Sequence, residues 1–147
     1  MTHTPAEGIT YGQSFDDQSE ILSQSNYCNM KVTQIHIIYG SLGKIRNLKV
    51  EISDGTTSFW TTSATTNTGV NEKYYSPPAG EEITRIDIWY NSSNLTGFRF
   101  ETDQGTQSEI IGSSSDSSKT VYLNGILMGF HGMASNLVHS VGPITRQ

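Results

Sequence analysis

An all-β domain built from short strands is what this sequence predicts, and three observations carry the prediction. Apolar and polar residues alternate in segments that recur from one end of the chain to the other. Turn-forming residues interrupt that alternation about every ten residues. No window of helical length carries a convincing apolar stripe at the helical spacing of about 3.6 residues. Such a pattern suits a barrel, a sandwich or a prism.

Taken in chain order, the segment Gly12–Asp17 ends in adjacent carboxylates, Asp16 and Asp17. Neighbours on a strand point to opposite faces, so the two are poor acid/base partners, and a turn cap is the simpler role. Gln18–Asn26 comes nearest to a helix but is too polar to bury a face. In Val32–Tyr39, Ile35, Ile37 and Tyr39 share one face, and Gln34 and His36 take the other, where His36 is expected to be solvated. After a turn at Gly40–Gly43, Ile45–Ile52 sets Leu48, Val50 and Ile52 against Asn47, Lys49 and Glu51. Asp54-Gly55 signals a hairpin, because Gly accepts positive φ freely. Thr61–Thr68 and Ser113–Ser118 read as exposed loops or edge strands. Glu82–Tyr90 places Ile86, Ile88 and Tyr90 opposite Arg85, Asp87 and Trp89, and Phe98 and Phe100 flank Arg99. Val121 and Leu123 lead to a second hairpin signal, Asn124-Gly125, followed by Ile126, Met128 and Phe130.

Composition narrows the function classes. The 147 residues, 34% hydrophobic and 16% charged, suit one domain, taken as residues 1–147 with a core over about 9–145. The net charge of −5 and the lack of any Lys/Arg cluster argue against nucleic acid and against attachment to anionic surfaces. No apolar run is long enough to span a bilayer, so membrane insertion is not expected. Met1–Gly8 lacks the order of a signal peptide, which leaves the cytoplasm or a secreted form with its signal removed. The single cysteine, Cys28, forms no internal disulfide and reads first as an inert buried thiol. Asn91-Ser92-Ser93 and Asn94-Leu95-Thr96 are glycosylation sequons.

The search for chemistry finds no nucleophile elbow, no His-Glu-x-x-His pair and no phosphate-cradling glycine loop. His131 and His139 could meet across a turn, but their spacing is not that of a metal site. No enzyme, metal or cofactor is expected. Binding fits better. A sugar is polar at its edges and apolar on parts of its ring faces, so it asks for polar loops and an aromatic platform on rigid strands. Tyr11–Ser14, Trp89–Asn94 and Gly132–His139 are loops of that composition, although such loops also suit protein epitopes.

Three stretches together resemble the jacalin-related lectins. Gly12-Gln13-Ser14-Phe15-Asp16-Asp17 is similar to that family's opening Gly-x-x-Phe-Asp-Asp. Gly80-Glu81-Glu82-Ile83 running through Leu95-Thr96-Gly97-Phe98-Arg99-Phe100-Glu101-Thr102 is similar to its middle pair of strands. Gly125-Ile126-Leu127-Met128-Gly129-Phe130-His131-Gly132, followed by Leu137 to Gly142, is similar to its closing signature. The resemblance implies a β-prism I: three four-stranded antiparallel sheets with pseudo-threefold symmetry. It implies metal-independent recognition of glycans, as mono- or oligosaccharides or on glycoproteins, by loops at one end. It also implies a homo-oligomer, with a dimer favoured.

Carried over by position, the implied carbohydrate-binding residues are Gly12 and Gln13 in the first loop, and Tyr90, Asn91 and Ser92 in the recognition loop. The final loop supplies Ser135, Asn136, Leu137, Val138 and His139. Here the chain departs from the family pattern, which reads Gly-x-x-x-Asp. Ser135 stands in place of the Gly and His139 in place of the Asp. A neutral imidazole accepts one hydrogen bond where a carboxylate accepts several charge-assisted ones, so the change should cost about 1–3 kcal/mol of binding. Two expectations follow. Either the site is rebuilt for a different glycan, an acidic one if the histidine is charged, or the prism is a scaffold that has lost sugar binding and acts through protein contacts.

Overall fold

The structure, a computed structural model, describes residues 1–69 and 71–147. Its strands are β1 (Thr2–His3), β2 (Glu7–Gly8), β3 (Gln13–Asp16), β4 (Lys31–Tyr39), β5 (Ile45–Ser53), β6 (Ser58–Trp60) and β7 (Asn71–Tyr75). They continue with β8 (Ile83–Tyr90), β9 (Leu95–Thr102), β10 (Ile111–Gly112), β11 (Ser117–Tyr122), β12 (Ile126–Ala134) and β13 (Val138–Arg146).

All pairings between these strands are antiparallel, and each of the three sheets repeats one plan. A central hairpin is flanked by two outer strands, giving the orders β6-β5-β4-β7 and β10-β9-β8-β11. In the remaining sheet, β13-β12 is the hairpin and β3 is one flank, while β1 and β2 pair with successive parts of β13 to make the other. This is the β-prism I architecture with three four-stranded sheets, one edge strand being interrupted. The chain's two ends meet in one sheet, so the N-terminal residues close the prism.

Period-2 alternation explains how the interior forms. Ile35, Ile37, Val50, Ile52, Ile86, Ile88, Phe98, Phe100, Met128, Phe130 and Val141 are buried on the inner faces and pack as one cluster. The outer faces are more structured than solvated. His36 is only 6% exposed: its ring stacks on Tyr74 at 4.1 Å, and Nε2 lies 3.0 Å from the Glu72 carboxylate. The expectation of a solvated His36 is thereby corrected, because the aromatic residue on the neighbouring strand covers it.

Three other expectations change. Asn124-Gly125 does not close a hairpin: β11 pairs with β8, while β12 pairs with β13 and β3, so the dipeptide carries the chain between sheets. Gln18–Leu22 is a short α-helix, α1, and it buries Ile21 completely. One apolar side chain anchors a single turn where a full stripe is lacking. Cys28 lies in a 3₁₀ turn, Tyr27–Asn29, and is exposed rather than buried. Asp54-Gly55 does close a hairpin, joining β5 to β6.

Candidate functional site

The site is built where the first loop crosses the β12–β13 hairpin. Gly8 adopts φ +119, and a Cβ there would collide with the His139 carbonyl. Gly12 adopts φ +94, and a Cβ there would lie 2.5 Å from the Ala134 carbonyl oxygen. Only glycine permits this approach at both places. Between them the Ile9 N–H donates to the His139 carbonyl at 2.9 Å. The loop is thus pinned at both ends, and Tyr11 projects from its middle, 63% exposed.

His139, at the start of β13, is 5% exposed. Its Nδ1 donates to the Ser93 carbonyl at 2.6 Å, since a carbonyl can only accept. Its Nε2 faces the Ser135 hydroxyl at 2.7 Å, and a hydroxyl can serve as donor or acceptor. The ring therefore ties the final loop to the β8–β9 turn. Tyr11 stands edge-on to it, with centroids 4.9 Å apart and planes at 89°. In the β8–β9 turn, Asn91 Oδ1 accepts from the N–H groups of Ser93 at 2.8 Å and Asn94 at 3.0 Å. That local fold leaves Ser92 and Ser93 exposed at its tip.

Two concavities result. A cleft of about 340 Å³ is lined by Ile9, Thr10, Tyr11, Ser92, Ser93 and His139. A trough of about 380 Å³ is lined by Gly12, Gln13, Ser14, Ala134 and Ser135 on one side and by Ser63–Thr66 on the other. Among the described residues, no Asp, Glu, Lys or Arg side chain lines either. Among the described residues, no group of three or more His, Cys, Asp or Glu side chains could hold a metal ion.

The expected site residues are divided by this geometry. Ser92 and His139 line the cleft, and Gly12, Gln13 and Ser135 line the trough. Tyr90, Asn91, Asn136, Leu137 and Val138 line neither. Val138 is fully buried in the core, Tyr90 packs against that core, and the Asn91 side chain is spent on its own turn. His139 presents no free ring nitrogen at the rim, because the ring is buried and both nitrogens are engaged. His131 does not meet His139. Its Nε2 lies 2.5 Å from the Thr4 carbonyl, and its ring contacts His3 edge-on. Sequence reasoning placed Tyr11 in a suitable loop but did not assign it to the site, and it missed Ile9, Thr10 and Ser63–Thr66. The Thr61–Thr68 stretch is distant in sequence and has no local motif, so only the fold brings it here. Of the two sequons, Asn94 is buried and donates to the Leu95 carbonyl, which withdraws it as an acceptor for glycosylation in the folded chain.

Comparison with known proteins places this geometry in context. The Jacalin-like lectin domain family matches residues 5–144. No curated protein matches the chain. Among solved structures, a mannose-binding lectin from Champedak superposes with a TM-score of 0.77 at 16% identity, covering 99% of this chain and 96% of that one. Frutalin from Artocarpus incisa gives 0.78 at 15% identity, covering 99% and 95%. Artocarpin in complex with mannotriose gives 0.75 at 15% identity, covering 99% and 97%. At these identities the likeness to solved structures establishes the fold.

Proposed function

The chain belongs to the jacalin-like lectin family, and on that premise we propose that it binds neutral carbohydrate in the cleft formed by Tyr11, Ser92, Ser93 and His139. One observation carries the reading: an exposed tyrosine ring in edge-on contact with a buried imidazole, beside serine hydroxyls in one cleft. The ring offers an apolar face to a sugar's C–H groups, and the hydroxyls offer donors and acceptors to its edge. Among the described residues no carboxylate, ammonium or guanidinium lines the cleft, which suits an uncharged ligand. A mannose-binding lectin and a lectin solved with mannotriose share the fold.

In this reading His139 is a positioning residue. It takes the place of a carboxylate but spends both nitrogens on Ser93 and Ser135, so it shapes the cleft instead of bonding the sugar through its ring nitrogens. Tyr11→Ala should weaken binding by about 1 kcal/mol, roughly fivefold in Kd, without altering thermal unfolding. His139→Ala should also weaken binding severalfold, by freeing the Ser93 turn. Self-association as a dimer belongs to the same reading, since two clefts raise avidity for branched glycans. Sedimentation velocity tests that part.

The decisive test is a glycan array on the purified protein with EDTA present, followed by calorimetry on the best hit. Binding that free sugar competes away, undiminished by EDTA, is the expected result. Silence from folded protein would overturn the reading. The internally satisfied Ser135–His139 pair favours one alternative, a prism that has lost sugar binding and serves as a scaffold or oligomerisation module. A silent array together with a stable oligomer would support it.

A further inference from the structure

The short helix α1 bridges two sheets. It follows β3, which pairs with β12, and precedes β4, which belongs to the sheet of β5, β6 and β7. Ile21, Glu20 and Asp17 hold it there. Ile21 is fully buried in the core cluster. Glu20 reaches the loop after β6, where its Oε2 accepts from the Thr62 N–H and from the Thr62 hydroxyl, both at 2.8 Å. Asp17, the N-cap of α1, turns inward onto β12.

Asp17 stands where the chain leaves the sheet. Its N–H donates to the Phe130 carbonyl at 3.1 Å, as a strand residue would, but its carbonyl accepts from the Ile21 N–H at 3.0 Å and so starts the helix. The side chain takes over the carbonyl's place in the ladder, with Oδ2 accepting from the Phe130 N–H at 3.0 Å. Gly129 makes room for this approach: a Cβ there would lie 2.9 Å from Asp17 Cβ and 3.0 Å from Ile21 Cδ1. A carboxyl group in this position can accept the Phe130 bond whether or not it is ionised, because the neutral acid keeps a carbonyl oxygen. Ionisation therefore adds a buried charge and no new bond.

The surroundings disfavour that charge. Asp17 is 7% exposed, and among the described residues the Phe130 N–H is the one donor to its carboxyl. On β3, Asp16 accepts from the Gln18 N–H through Oδ1 and faces His3 of β1 through Oδ2 at 2.9 Å. On β12, the adjacent His131 turns its Nε2 to the Thr4 carbonyl. The charges that act on Asp17, those of Glu20 and Asp16, are both negative. Burial, helped by these two, raises the carboxyl from 3.8 to about 7, and undocking of α1 would return it to water.

We propose that α1 is a pH-sensitive latch: neutral Asp17 clamps it onto β12, and ionised Asp17 favours its release together with Thr62, while the three sheets stay paired. Below pH about 4 the carboxyl is protonated whether α1 is docked or not, so pH has no leverage. Between pH about 4 and 7 only the undocked form is ionised, and the opening equilibrium rises about tenfold per pH unit. Above pH about 7 both forms are ionised and the rise levels off. Ser63–Thr66, one wall of the trough, follows Thr62 directly and gains freedom over the same range.

Amide hydrogen exchange on ¹⁵N-labelled protein at pH 5, 6, 7 and 8, read as protection factors, tests the latch independently of any ligand. The Ile21 and Thr62 amides should lose about a hundredfold in protection from pH 5 to 7 and little more by pH 8. The Ile37 and Ile88 amides of the central strands should stay better protected throughout. D17N keeps an acceptor for the Phe130 N–H but does not titrate, so it should hold Ile21 protection constant. E20A should strip Thr62 of protection at every pH and leave the Ile21 profile as it is. A flat Ile21 profile in the wild type would overturn the latch, as would equal loss in α1 and the central strands. Both are read on the wild type even if D17N does not fold. A slope that survives in folded D17N, or Thr62 protection indifferent to pH and to E20A, would overturn it as well.

Discussion

Asp17 sits where a charge is hard to keep. It follows β3, is buried, and bonds reciprocally to Phe130: its N–H donates to the Phe130 carbonyl at 3.1 Å, and its Oδ2 accepts from the Phe130 N–H at 3.0 Å. Burial pushes its carboxyl up from the ordinary 3.8 to about 7, against the Phe130 hydrogen bond and with help from the charges of Glu20 and Asp16. Below pH about 4 the group is protonated in both folded and unfolded chains. Between pH about 4 and 7 the folded chain holds a proton that the unfolded chain has released, so stability falls as pH rises. Above pH about 7 both states are ionised and the loss levels off near 4 kcal/mol in total. Asp17→Asn should flatten that slope, measured as urea unfolding free energy across pH 4 to 8, and an unchanged slope would place the titration elsewhere. Tyr75 poses the opposite case. Its hydroxyl is buried with no partner among the described residues, while its ring stacks on Phe100. Tyr75→Phe should therefore hold or raise stability, by about 1 kcal/mol at most, in the same assay. Neither situation was legible in the sequence, which shows that Asp17 and Tyr75 are polar but not which neighbours close over them.

The elements divide into those that local pattern specifies and those that it does not. Asp54-Gly55 makes a hairpin, because Asp54 Oδ1 accepts from the Thr56 and Thr57 N–H groups and Gly55 takes φ +95. Asn124-Gly125 carries the same signal and makes a link between sheets, because β12 finds better partners in β13 and β3 than in β11. The first loop depends on its own glycine. Gly12→Ala combines a strained positive φ with a backbone collision and should cost about 2 kcal/mol. That corresponds to roughly 5 °C in Tm, and glycan affinity should fall with it, because the displaced loop carries Tyr11. Glycan affinity unaffected in a destabilised Gly12→Ala protein would detach Tyr11 from the site. Loop Thr61–Thr68 looked like unremarkable polar sequence, yet Thr61 and Thr65 are buried, and the loop forms one wall of the trough.

At the scale of the molecule, the N-terminal strands and the last strand lie in one sheet. Thr2–His3 and Glu7–Gly8 cover the outer edge of β13, reinforced by Thr4 N–H donating to the Pro143 carbonyl at 3.0 Å. Removing residues 1–8 would leave β13 as a bare edge strand. Lower Tm and a rise in light scattering on warming are the expected results, since an open edge invites pairing between molecules. A truncated protein with the parent's Tm and no scattering would show that the N-terminal strands are dispensable. The interior responds differently. Phe130 is 1% exposed within the core cluster, and Phe130→Ala should cost about 4 kcal/mol in urea unfolding.

Alternation and turn chemistry by themselves determined that the chain is all-β, which residues face inward along β4, β5, β8 and β9, and where Asp54-Gly55 turns. These are properties of neighbouring residues, set by a side-chain period of two and by glycine's freedom at positive φ. The order of motifs from Gly12 to Gly142 added the prism by resemblance. What only the tertiary structure decided is the site. His139 is tied to Ser93, 46 residues away, and Asn67 to Asn136, 69 residues away. Partners at that separation leave no periodic trace, because nothing local constrains which loop a folded sheet brings beside another.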